Sequence, residues 1–569
     1  MAFAPGHQLF AAEARVSSHI FGVDIDLQAV EVTKLSLLLK VLEGETDQSL
    51  SLSQLAFGDR ALPNLVENIK CGNSLIGPDY FTGKLIVDPE EMKRVNPFDW
   101  KQYFPGAIKA GGFDCIIGNP PYIRSQSLGD AQRQYYGHTY KAATGTYDIY
   151  VLFVERALSL INKSGRIGYI LPNKFYTTDY GAGLRNLLTE PNYIERIVDF
   201  EDGQVFAGAG TYTNLLFLSR DAGGAPQYVR LGKVYEAEGV AGLARVLTGD
   251  DMQFERLHLD PGEGTWTLAV GESGDLLTRL QSAYPSLSTL SPHIFQGLKT
   301  SADKVYMVRV KGLQGDLCEV ETGTGLTVLI ERSILRPVVK GEHVQRYWID
   351  FAENIQIIYP YKVSADGRAH ILGQDVLEGD FPHTWAYFKS NDKILRARDR
   401  GTWSQRADWY AYARSQNIGT FVGEKLLLPY MTTRLRVAAD VDGKLFFVNI
   451  TTGGYGLRVQ YGEHHRNYLV GLLNSRLLDL AIRQMTNAFR GGYFAVNKQG
   501  IERLPFRPIN FSDSTDKARH DRMVALVDSM LGLHKQLAAA KSVAQKAIMQ
   551  RQIEATDAEI AGWCMTCTV

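Results

Sequence analysis

The chain has 569 residues, of which 45% are hydrophobic, so it is long and apolar enough to build several domains with sizeable cores. Its net charge of −1 neither indicates nor excludes a nucleic-acid partner, because local charge decides such binding. The chain has no signal-peptide pattern, no apolar run near the ~20 residues that span a bilayer, and an odd number of cysteines, which argues against a disulfide framework. We therefore predict a cytoplasmic protein.

Residues 17 to 220 alternate between strand and helix patterns, which is typical of a parallel sheet with crossover helices. HIFGVDID, at 19–26, reads as a strand, and the helical pattern DLQAVEVTKLSLLLKVLEGE follows it with Asp26 as its N-cap. NIKCGNSL, at 68–75, predicts a short strand and a turn.

The next elements complete this first domain. FDCIIGNPPY, at 113–122, predicts a short, fully buried parallel strand that ends in a proline turn. An amphipathic helix is expected over 147–161, a buried strand over 165–175, and two more strands in IERIVDF and TYTNLLFLSR. We therefore predict an α/β, doubly wound, Rossmann-like domain over residues 1–220.

Beyond residue 220 the pattern changes. Residues 221–290 read as a connector, and 291–510 as an α+β domain of short strands and aromatics with one long helix at 467–485. A helical tail is expected over 515–557, packed back on its own domain through one apolar face formed by Met523, Val527, Met530, Leu533 and Leu537. The C-x-x-C pair Cys564 and Cys567 has no second pair or histidine partner, so we predict no metal site.

The proline turn has the chemistry of a binding site. Gly118 frees the backbone, and Pro120 and Pro121 fix it, at the carboxyl edge of a strand where α/β sheets bind ligands. The Asn119 amide oxygen and a backbone carbonyl form a pair of acceptors, which suits an –NH2 group. Tyr122 could stack on the ring that carries this amine. The turn therefore fits a nucleobase amino group or a carboxamide.

A second candidate lies about 90 residues upstream. Asp24 ends the strand in GVDID, where a carboxylate can accept hydrogen bonds from ribose hydroxyls. Taken alone, an acid at a strand end is a weak signal. Its position before the proline turn strengthens it.

These motifs resemble those of N6-adenine DNA methyltransferases of the restriction–modification type, with a TaqI-like C-terminal specificity domain. The motifs follow the order seen in that family. In the first domain they are GVDID, CGNSL, FDCIIGNPPY, GRIGYILPNKF and VFAGAGTYTNLLFL, and after it they are ILRPVVKGEHVQRY, KLLLPYMTTR, ITTGGYGL and YLVGLLNSRLLDLAIRQM. The resemblance covers nearly the whole chain, and the NPPY block is its most specific part.

The resemblance implies a cofactor, S-adenosyl-L-methionine, and a partner, double-stranded DNA. Asp24 and Asn73 would contact the cofactor, Asn73 standing where the family usually has an Asp. In the catalytic motif Asn119, Pro120, Pro121 and Tyr122, the first two would accept from the target N6, and Asn119 would also adjoin the cofactor. Tyr122 and Phe206 would stack on the two faces of an adenine flipped out of the duplex.

One departure from the family concerns the start of the chain. The family's glycine-rich cofactor loop, of the form D-P-A-C-G-S-G, precedes GVDID, whereas MAFAPGHQLFAAEARVSSHI contains no such loop and no strand to carry it. We therefore expect the first strand and the cofactor loop to be missing, and a separate N-terminal segment or a nuclease to be a partner of this chain. No PD-(D/E)-x-K nuclease pattern is evident.

Between Lys393 and Arg436 the sequence has nine basic residues and three acidic ones, and aromatic residues are interleaved among them, including Trp403, Trp409, Tyr410, Tyr412 and Tyr430. Basic groups neutralise phosphates and aromatic rings stack beside bases, although a solvated charged face gives the same pattern. With the resemblance, we predict DNA contacts from the following arginines: Arg396, Arg398, Arg400, Arg406, Arg434, Arg436 and Arg490.

Two alternatives remain open. A DNA-binding remnant that lacks the cofactor loop would recognise its site without methylating it, and titration with S-adenosylmethionine would distinguish it. A protein-glutamine N5-methyltransferase also uses NPPY, on a carboxamide nitrogen. Its relatives are short, so the ~350 residues after the first domain count against it.

Overall fold

The computed structural model describes residues 16, 18–42, 64–83, 86–201, 203–206, 211–248, 255–257, 259, 264–266, 268, 270–351, 354–449, 451–486 and 488–568. The chain separates into two compact units, Met1–Trp266 and Thr267–Val569. Within the described part, no helix is both long and apolar enough to cross a membrane.

The first unit alternates strands and helices. Its strands are β1 Gly22–Asp24, β2 Ile69–Cys71, β3 Phe113–Gly118, β4 Ile161–Pro172, β5 Ile194–Asp199, β6 Thr213–Ser219, β7 Gln227–Arg230 and β8 Glu255–Arg256. Its helices are α1 Leu27–Leu42, α2 Pro89–Val95, α3 Trp100–Tyr103, α4 Pro105–Lys109, α5 Asp130–Thr139, α6 Tyr150–Leu160, α7 Ala182–Thr189 and α8 Gly232–Thr248, which is kinked at Gly239.

These strands form two sheets. β1 and β2 pair in parallel, and the other six form a mixed sheet in the order β3-β4-β6-β5-β7-β8. β3 and β4 are parallel, and β6 is antiparallel to both of its neighbours. The predicted α/β class is confirmed, but the larger sheet is mixed and β1 and β2 stand apart from it.

The predicted full burial of β3 is wrong. Cys115 and Ile117 are exposed, Ile117 to 81%. Among the described residues, β3 pairs with a strand on one side only, and so does β1. α1 is likewise covered on one face, through Val30 and Val41, while Val32, Leu35 and Leu39 on its other face are exposed.

The first unit extends further than the pattern of strands and helices predicts. β7 and β8, from the stretch we interpreted as a connector, pair within the six-stranded sheet. Trp266 stacks against Tyr176, with ring centroids 6.0 Å apart.

The second unit contains short antiparallel strands. They are β9 His293–Gln296, β10 Met307–Gln314, β11 Leu317–Thr322, β12 Thr327–Glu331, β13 Leu335–Pro337, β14 Ile355–Ile358, β15 Tyr361–Val363, β16 Ala369–Ile371, β17 Lys425–Pro429, β18 Met431–Thr432, β19 Ala438–Asp440, β20 Gly454–Arg458, β21 Ala488–Phe489 and β22 Tyr493–Ala495. They form sheets in the orders β12-β11-β10-β14-β13, β19-β17-β20-β9, β18-β22-β21 and β15-β16.

Helices surround these sheets. They are α9 Gly271–Ala283, α10 Asp303–Tyr306, α11 Gln374–Asp380, α12 Pro382–Ser390, α13 Asp392–Arg396, α14 Arg466–Leu473, α15 Arg476–Met485, α16 Lys498–Glu502, α17 Ser514–Ala539 and α18 Val543–Thr568. The helix expected over 467–485 is therefore two helices, because Asn474 bonds the backbone of Val437 and Ser475 caps α15.

The tail packs on its own unit, as predicted. Met523, Val527 and Met530 of α17 are fully buried in a core that includes Tyr468 and Leu473 of α14. α17 and α18 form two long helices instead of the single segment expected.

Candidate active site

The turn after β3 presents an open amide. Asn119 is exposed while Pro120 is buried, so the side chain projects from a fixed backbone. A Cβ at Gly118 would lie 3.0 Å from the Tyr169 ring of β4, so glycine permits this close approach of strand and ring. The turn therefore offers the amide at the carboxyl end of β3, as the sequence predicts.

Tyr122 contacts this amide directly. Its hydroxyl lies 2.9 Å from Asn119 Oδ1, to which it donates, and 3.3 Å from the carbonyl of Ile170 in β4. Its ring is half-buried against Tyr150, with centroids 6.3 Å apart. Burial raises the pKa of Tyr122 to about 12, so the hydroxyl keeps its proton at neutral pH.

The segment after the turn is held by the chain that leads into α6. Ser125 N donates to Tyr147 O, and Ile149 N donates to Ile123 O, both at 2.8 Å. Asp148 lies between these bonds, and burial raises the pKa of its carboxyl, against the opposing effect of Arg124 and Lys174. The sequence did not single out Asp148, since an acid before a helix usually serves as a cap.

At the carboxyl end of β1, Asp26 has its predicted capping role, and Asp24 has a different environment. Asp26 Oδ1 accepts from Gln28 N at 2.9 Å and so caps α1. Asp24 Oδ1 accepts from Asp26 N at 2.8 Å, and its side chain is exposed. Its second carboxylate oxygen has no partner within the described part of the chain, so Asp24 can accept hydrogen bonds from a ribose.

Asn73 has a different environment. It follows β2, is buried, and uses its Oδ1 to accept from Leu75 N at 3.1 Å within its own turn. Its side chain stabilises this loop, and its contact with the cofactor stays a prediction.

The loop after β2 is joined to the rest of the unit by two residues that sequence reasoning missed. Tyr140 donates its hydroxyl to Leu75 O at 2.6 Å, and the Arg156 guanidinium donates to both Leu75 O and the Tyr140 hydroxyl. Arg156 lies on α6, so the loop that carries Asn73 and the helix beside the turn are held together. Nothing in the local sequence marks this long-range contact.

Phe206 lies half-buried at a bend after β5. The segment that leads to it is anchored by Asp199, whose carboxylate accepts from Glu201 N, Asn173 Nδ2 and the Tyr228 hydroxyl. Burial raises the pKa of Asp199. This acid ends a strand as Asp24 does, but its oxygens are bonded within the protein, so it supports the segment and does not face a ligand.

The predicted DNA-contact arginines have several different environments. Arg398 is 6% exposed, and its guanidinium donates to four backbone carbonyls, those of Leu395, Thr300, Ala411 and Trp409. Because Arg398 is buried and four of its five N–H donors bond backbone carbonyls inside the protein, Arg398 is structural, and the prediction that it contacts DNA is wrong.

The interleaved aromatics are also structural. Trp403, Trp409, Tyr410 and Tyr412 are buried in the core of the second unit, and Tyr430 is half-buried. Aromatic residues close a core as readily as they stack on bases, and the sequence alone does not separate the two uses.

The remaining arginines lie at or near the surface. Arg396 pairs with Asp392 and lies over Trp409, and Arg406 pairs with Asp408 and lies over Trp403. Arg400 is exposed, with a positive φ of 60°.

Strand pairing brings two of the predicted contact segments together. β18 pairs with β22, so the chain that carries Arg434 and Arg436 lies beside the hairpin that contains Arg490. Arg434 lies 3.7 Å from an Asp557 oxygen, and Arg436 donates to Thr432. The side chain of Arg490 lies outside the described residues.

The chain is similar in sequence to known proteins. Residues 18–206 match the family model described as Eco57I restriction-modification methylase. The chain is 28% identical over 560 residues to the type II restriction enzyme and methyltransferase RM.Eco57I of Escherichia coli, covering 94% of this chain and 52% of that protein. It is 24% identical over 404 residues to the type II methyltransferase M.PaeR7I of Pseudomonas aeruginosa, covering 69% and 64% respectively.

A solved structure shares the fold. The type IIL restriction-modification enzyme MmeI in complex with DNA superposes with a TM-score of 0.55 at 11% identity, over 95% of this chain and 62% of that one. The chain thus spans about half the length of RM.Eco57I and less than two thirds of M.PaeR7I and MmeI. β1, β2 and the turn after β3 lie within the residues that match the methylase family model.

Proposed function

We propose that this protein methylates DNA as part of a restriction–modification system, transferring a methyl group from S-adenosyl-L-methionine to N6 of a flipped adenine. The observation that carries the proposal is the exposed Asn119 amide on a proline-fixed turn, within the region that matches the methylase family model. The named relatives are type II methyltransferases, one of them also a restriction enzyme.

The proposed chemistry depends on positioning. The Asn119 amide oxygen and the Pro120 carbonyl would accept the two hydrogens of N6 and align its lone pair for attack on the methyl group. The cofactor, when bound, supplies that methyl group as an electrophile. Asp24, whose second carboxylate oxygen has no partner within the described residues, would hold the cofactor ribose, and Asn73 would contact the cofactor from the neighbouring loop that it shapes.

The open sheet edges support a further part of this proposal. β1 and β3 each have one unpaired edge within the described residues, and Phe21, next to β1, lies 5.8 Å from Phe113 of β3 between ring centroids. We propose that one more parallel strand, carrying the glycine-rich cofactor loop, pairs between β1 and β3. Such a strand would give β3 the second neighbour that it lacks and join the two sheets of the first unit.

DNA contact would come from the second unit, with exposed Arg400 and Arg406 and the paired segments around Arg434 and Arg490 as candidates. Their charges would neutralise phosphates, which confers affinity without sequence choice. Arg396 and Arg436, each bonded to a neighbour, remain candidates for the edge of this surface.

Mapping of methylated bases in a host genome tests the proposal. The protein, alone and joined to a segment that contains the glycine-rich loop, would be expressed in a bacterium without adenine methylation, and its genome read by a sequencing method that detects 6-methyladenine. In the form that carries the glycine-rich loop, we expect methylation at one short sequence motif. Asn119→Ala should abolish it, because the amide contacts the reacting nitrogen, with a loss of about 100-fold or more in kcat.

Gln102→Ala is the matched control, since it removes an exposed amide side chain from the same unit. Methylation that persists in Asn119→Ala at the rate of the Gln102→Ala control would refute the role of the turn. DNA binding without any methylation, in both forms of the protein, would favour the binding-remnant alternative.

A further inference from the structure

The Asn119 side chain has one fixed partner. Its Oδ1 accepts from the Tyr122 hydroxyl at 2.9 Å, and no other hydrogen bond to its amide is present among the described residues. The final torsion of an asparagine side chain is soft, so an exposed amide can present either its oxygen or its NH2 group. What holds the orientation of this amide is therefore the hydroxyl of Tyr122.

The hydroxyl is itself held in place. It lies 3.3 Å from the Ile170 carbonyl on the neighbouring strand β4, and its ring packs edge-on against the fully buried Tyr150. Burial raises the pKa of Tyr122 to about 12, which keeps a donor at this position at neutral pH. The hydroxyl has a single proton, and the shorter of its two contacts, to Asn119 Oδ1, directs that proton at the amide oxygen.

We propose that the Tyr122 hydroxyl is a positioning group that sets specificity, because it orients the Asn119 amide so that the site accepts an amino group and rejects a carbonyl. The inference rests on the proposed function and deepens it. An amide oxygen has two lone pairs, so Oδ1 can accept from Tyr122 and from the N6 of an adenine together. This role of the hydroxyl is separate from stacking by the ring.

The orientation of the amide should affect how well the site rejects hypoxanthine, a base that resembles adenine. Hypoxanthine has an oxygen acceptor where adenine has its amine. Two fixed acceptors, Asn119 Oδ1 and the Pro120 carbonyl, would leave that oxygen without a donor, which costs binding free energy. If the hydroxyl is removed, the amide can rotate and donate its NH2 group to the hypoxanthine oxygen.

Competition between two duplexes tests the inference, once the methylated motif is known. The duplexes carry adenine or hypoxanthine at the target position and are otherwise identical. Their inhibition constants are measured against binding of a labelled duplex to the form of the protein that carries the glycine-rich loop, so a variant without turnover also gives a value. In Tyr122→Phe, which keeps the ring, we expect the preference for adenine over hypoxanthine to narrow by about fivefold. We expect kcat to fall while KM stays within about twofold. Because the parent and Tyr122→Phe are measured with the same two duplexes, differences in duplex stability cancel from the comparison.

Two controls make the result specific. Tyr103→Phe removes a hydroxyl elsewhere in the same unit, where its ring stacks on Phe98, and should leave the preference unchanged. In an Asn119→Asp background, Tyr122→Phe should not narrow the preference, because a carboxylate presents oxygen in either orientation.

An unchanged preference in Tyr122→Phe, within about twofold of the parent, would overturn the inference while leaving the proposed function intact. A preference that narrows equally in the Asn119→Asp background would also overturn it, since the effect would then not pass through the amide. Failure of the parent to methylate adenine would instead refute the proposed function.

Discussion

At the scale of single residues, two asparagines that each follow a strand have different environments. Asn119 is exposed on a fixed backbone, whereas Asn73 uses its amide oxygen to hold its own loop. Both follow a strand, and the sequence motif predicts a ligand contact for both. Burial and local hydrogen bonds distinguish them.

The first prediction at this scale concerns the two aromatic residues proposed to stack on the target base. Tyr122→Ala and Phe206→Ala should each weaken binding of the extruded base, because stacking on an aromatic ring contributes about 1–3 kcal/mol per base. Fluorescence of 2-aminopurine at the target position measures the effect: the parent should brighten on binding, and the variants less. No brightening with the methylating parent would count against base flipping.

Arg398 and Arg400 offer a second, paired prediction. Arg398→Ala should destabilise the second unit by several kcal/mol, because it removes one hydrogen-bond donor from each of four backbone carbonyls. Arg400→Gln should leave stability unchanged. It should reduce the slope of log affinity for DNA against log salt concentration by about one, the change expected for one lost phosphate contact. Thermal unfolding and binding at several salt concentrations measure both.

The reverse result would contradict this division. If Arg398→Ala unfolded like the parent and lost DNA affinity, the buried arginine would have to reach DNA, against its environment in the second unit.

At the scale of elements, β3 stands out because it has a neighbour on one side only. Its apolar residues match a central strand, and the sequence accordingly predicted full burial. In the structure Ile117 is 81% exposed. Apolar surface on an open strand edge invites pairing with another strand.

Ile117→Lys tests the proposed additional strand. The charge should leave the stability of the chain by itself within about 0.5 kcal/mol, because the side chain is exposed. It should, however, strongly reduce the gain in methylation on adding the segment with the glycine-rich loop, since burying an unpaired ammonium is costly. Leu313→Lys, on an exposed position of β10, is the control and should not affect this gain.

If Ile117→Lys responds to the added segment as fully as the Leu313→Lys control does, the segment does not cover this face of β3. The proposal of a strand between β1 and β3 would then be abandoned.

A buried ion pair stabilises the sheet of the second unit. Lys425 of β17 and Asp440 of β19 lie 2.5 Å apart with side chains 0% and 4% exposed. Burial lowers the pKa of Lys425, and the adjacent Asp440 opposes this. Lys425→Met should destabilise the protein by about 3–5 kcal/mol, because it leaves a buried carboxylate unpaired.

Asp440→Asn added to Lys425→Met should recover part of that loss, since an amide carries no charge and its oxygen can still accept from Leu445 N. Chemical unfolding of both variants gives the comparison. A double variant as unstable as Lys425→Met would show that the packing of the lysine, and not the unpaired charge, matters.

At the scale of the whole molecule, the two units should divide the work. Within its described residues the second has four sheets, two large cores and a helical hairpin packed on one of these cores, so we expect it to be stable without the first. We therefore expect the chain by itself to bind DNA with an affinity that falls as salt rises. Methylation from tritiated S-adenosylmethionine should be negligible until the additional strand is supplied.

Filter binding at 50 to 200 mM salt and counting of tritium in DNA measure the two halves of this prediction. Robust methylation by the chain alone would show that the cofactor site forms without a strand between β1 and β3. Salt-independent binding would argue against phosphate contacts from the second unit.

The sequence by itself determined the elements around the turn and their order. β1, β3, β5 and β6 lie within the predicted strands, and Asp26 caps α1, because hydrophobic periodicity, proline and capping residues act over a few neighbours. The same local signals marked Asn119 and Asp24 at strand ends.

Tertiary structure alone decided which polar and aromatic groups remain available. Arg398 and Trp409 are buried by contacts with residues far away in the chain, and Leu75 is fixed by Tyr140, 65 positions later. The exposure of Ile117 likewise depends on which strands pair beside it. Such contacts join distant segments, so no local pattern encodes them, and only the folded chain shows that the Tyr122 hydroxyl faces the Asn119 amide.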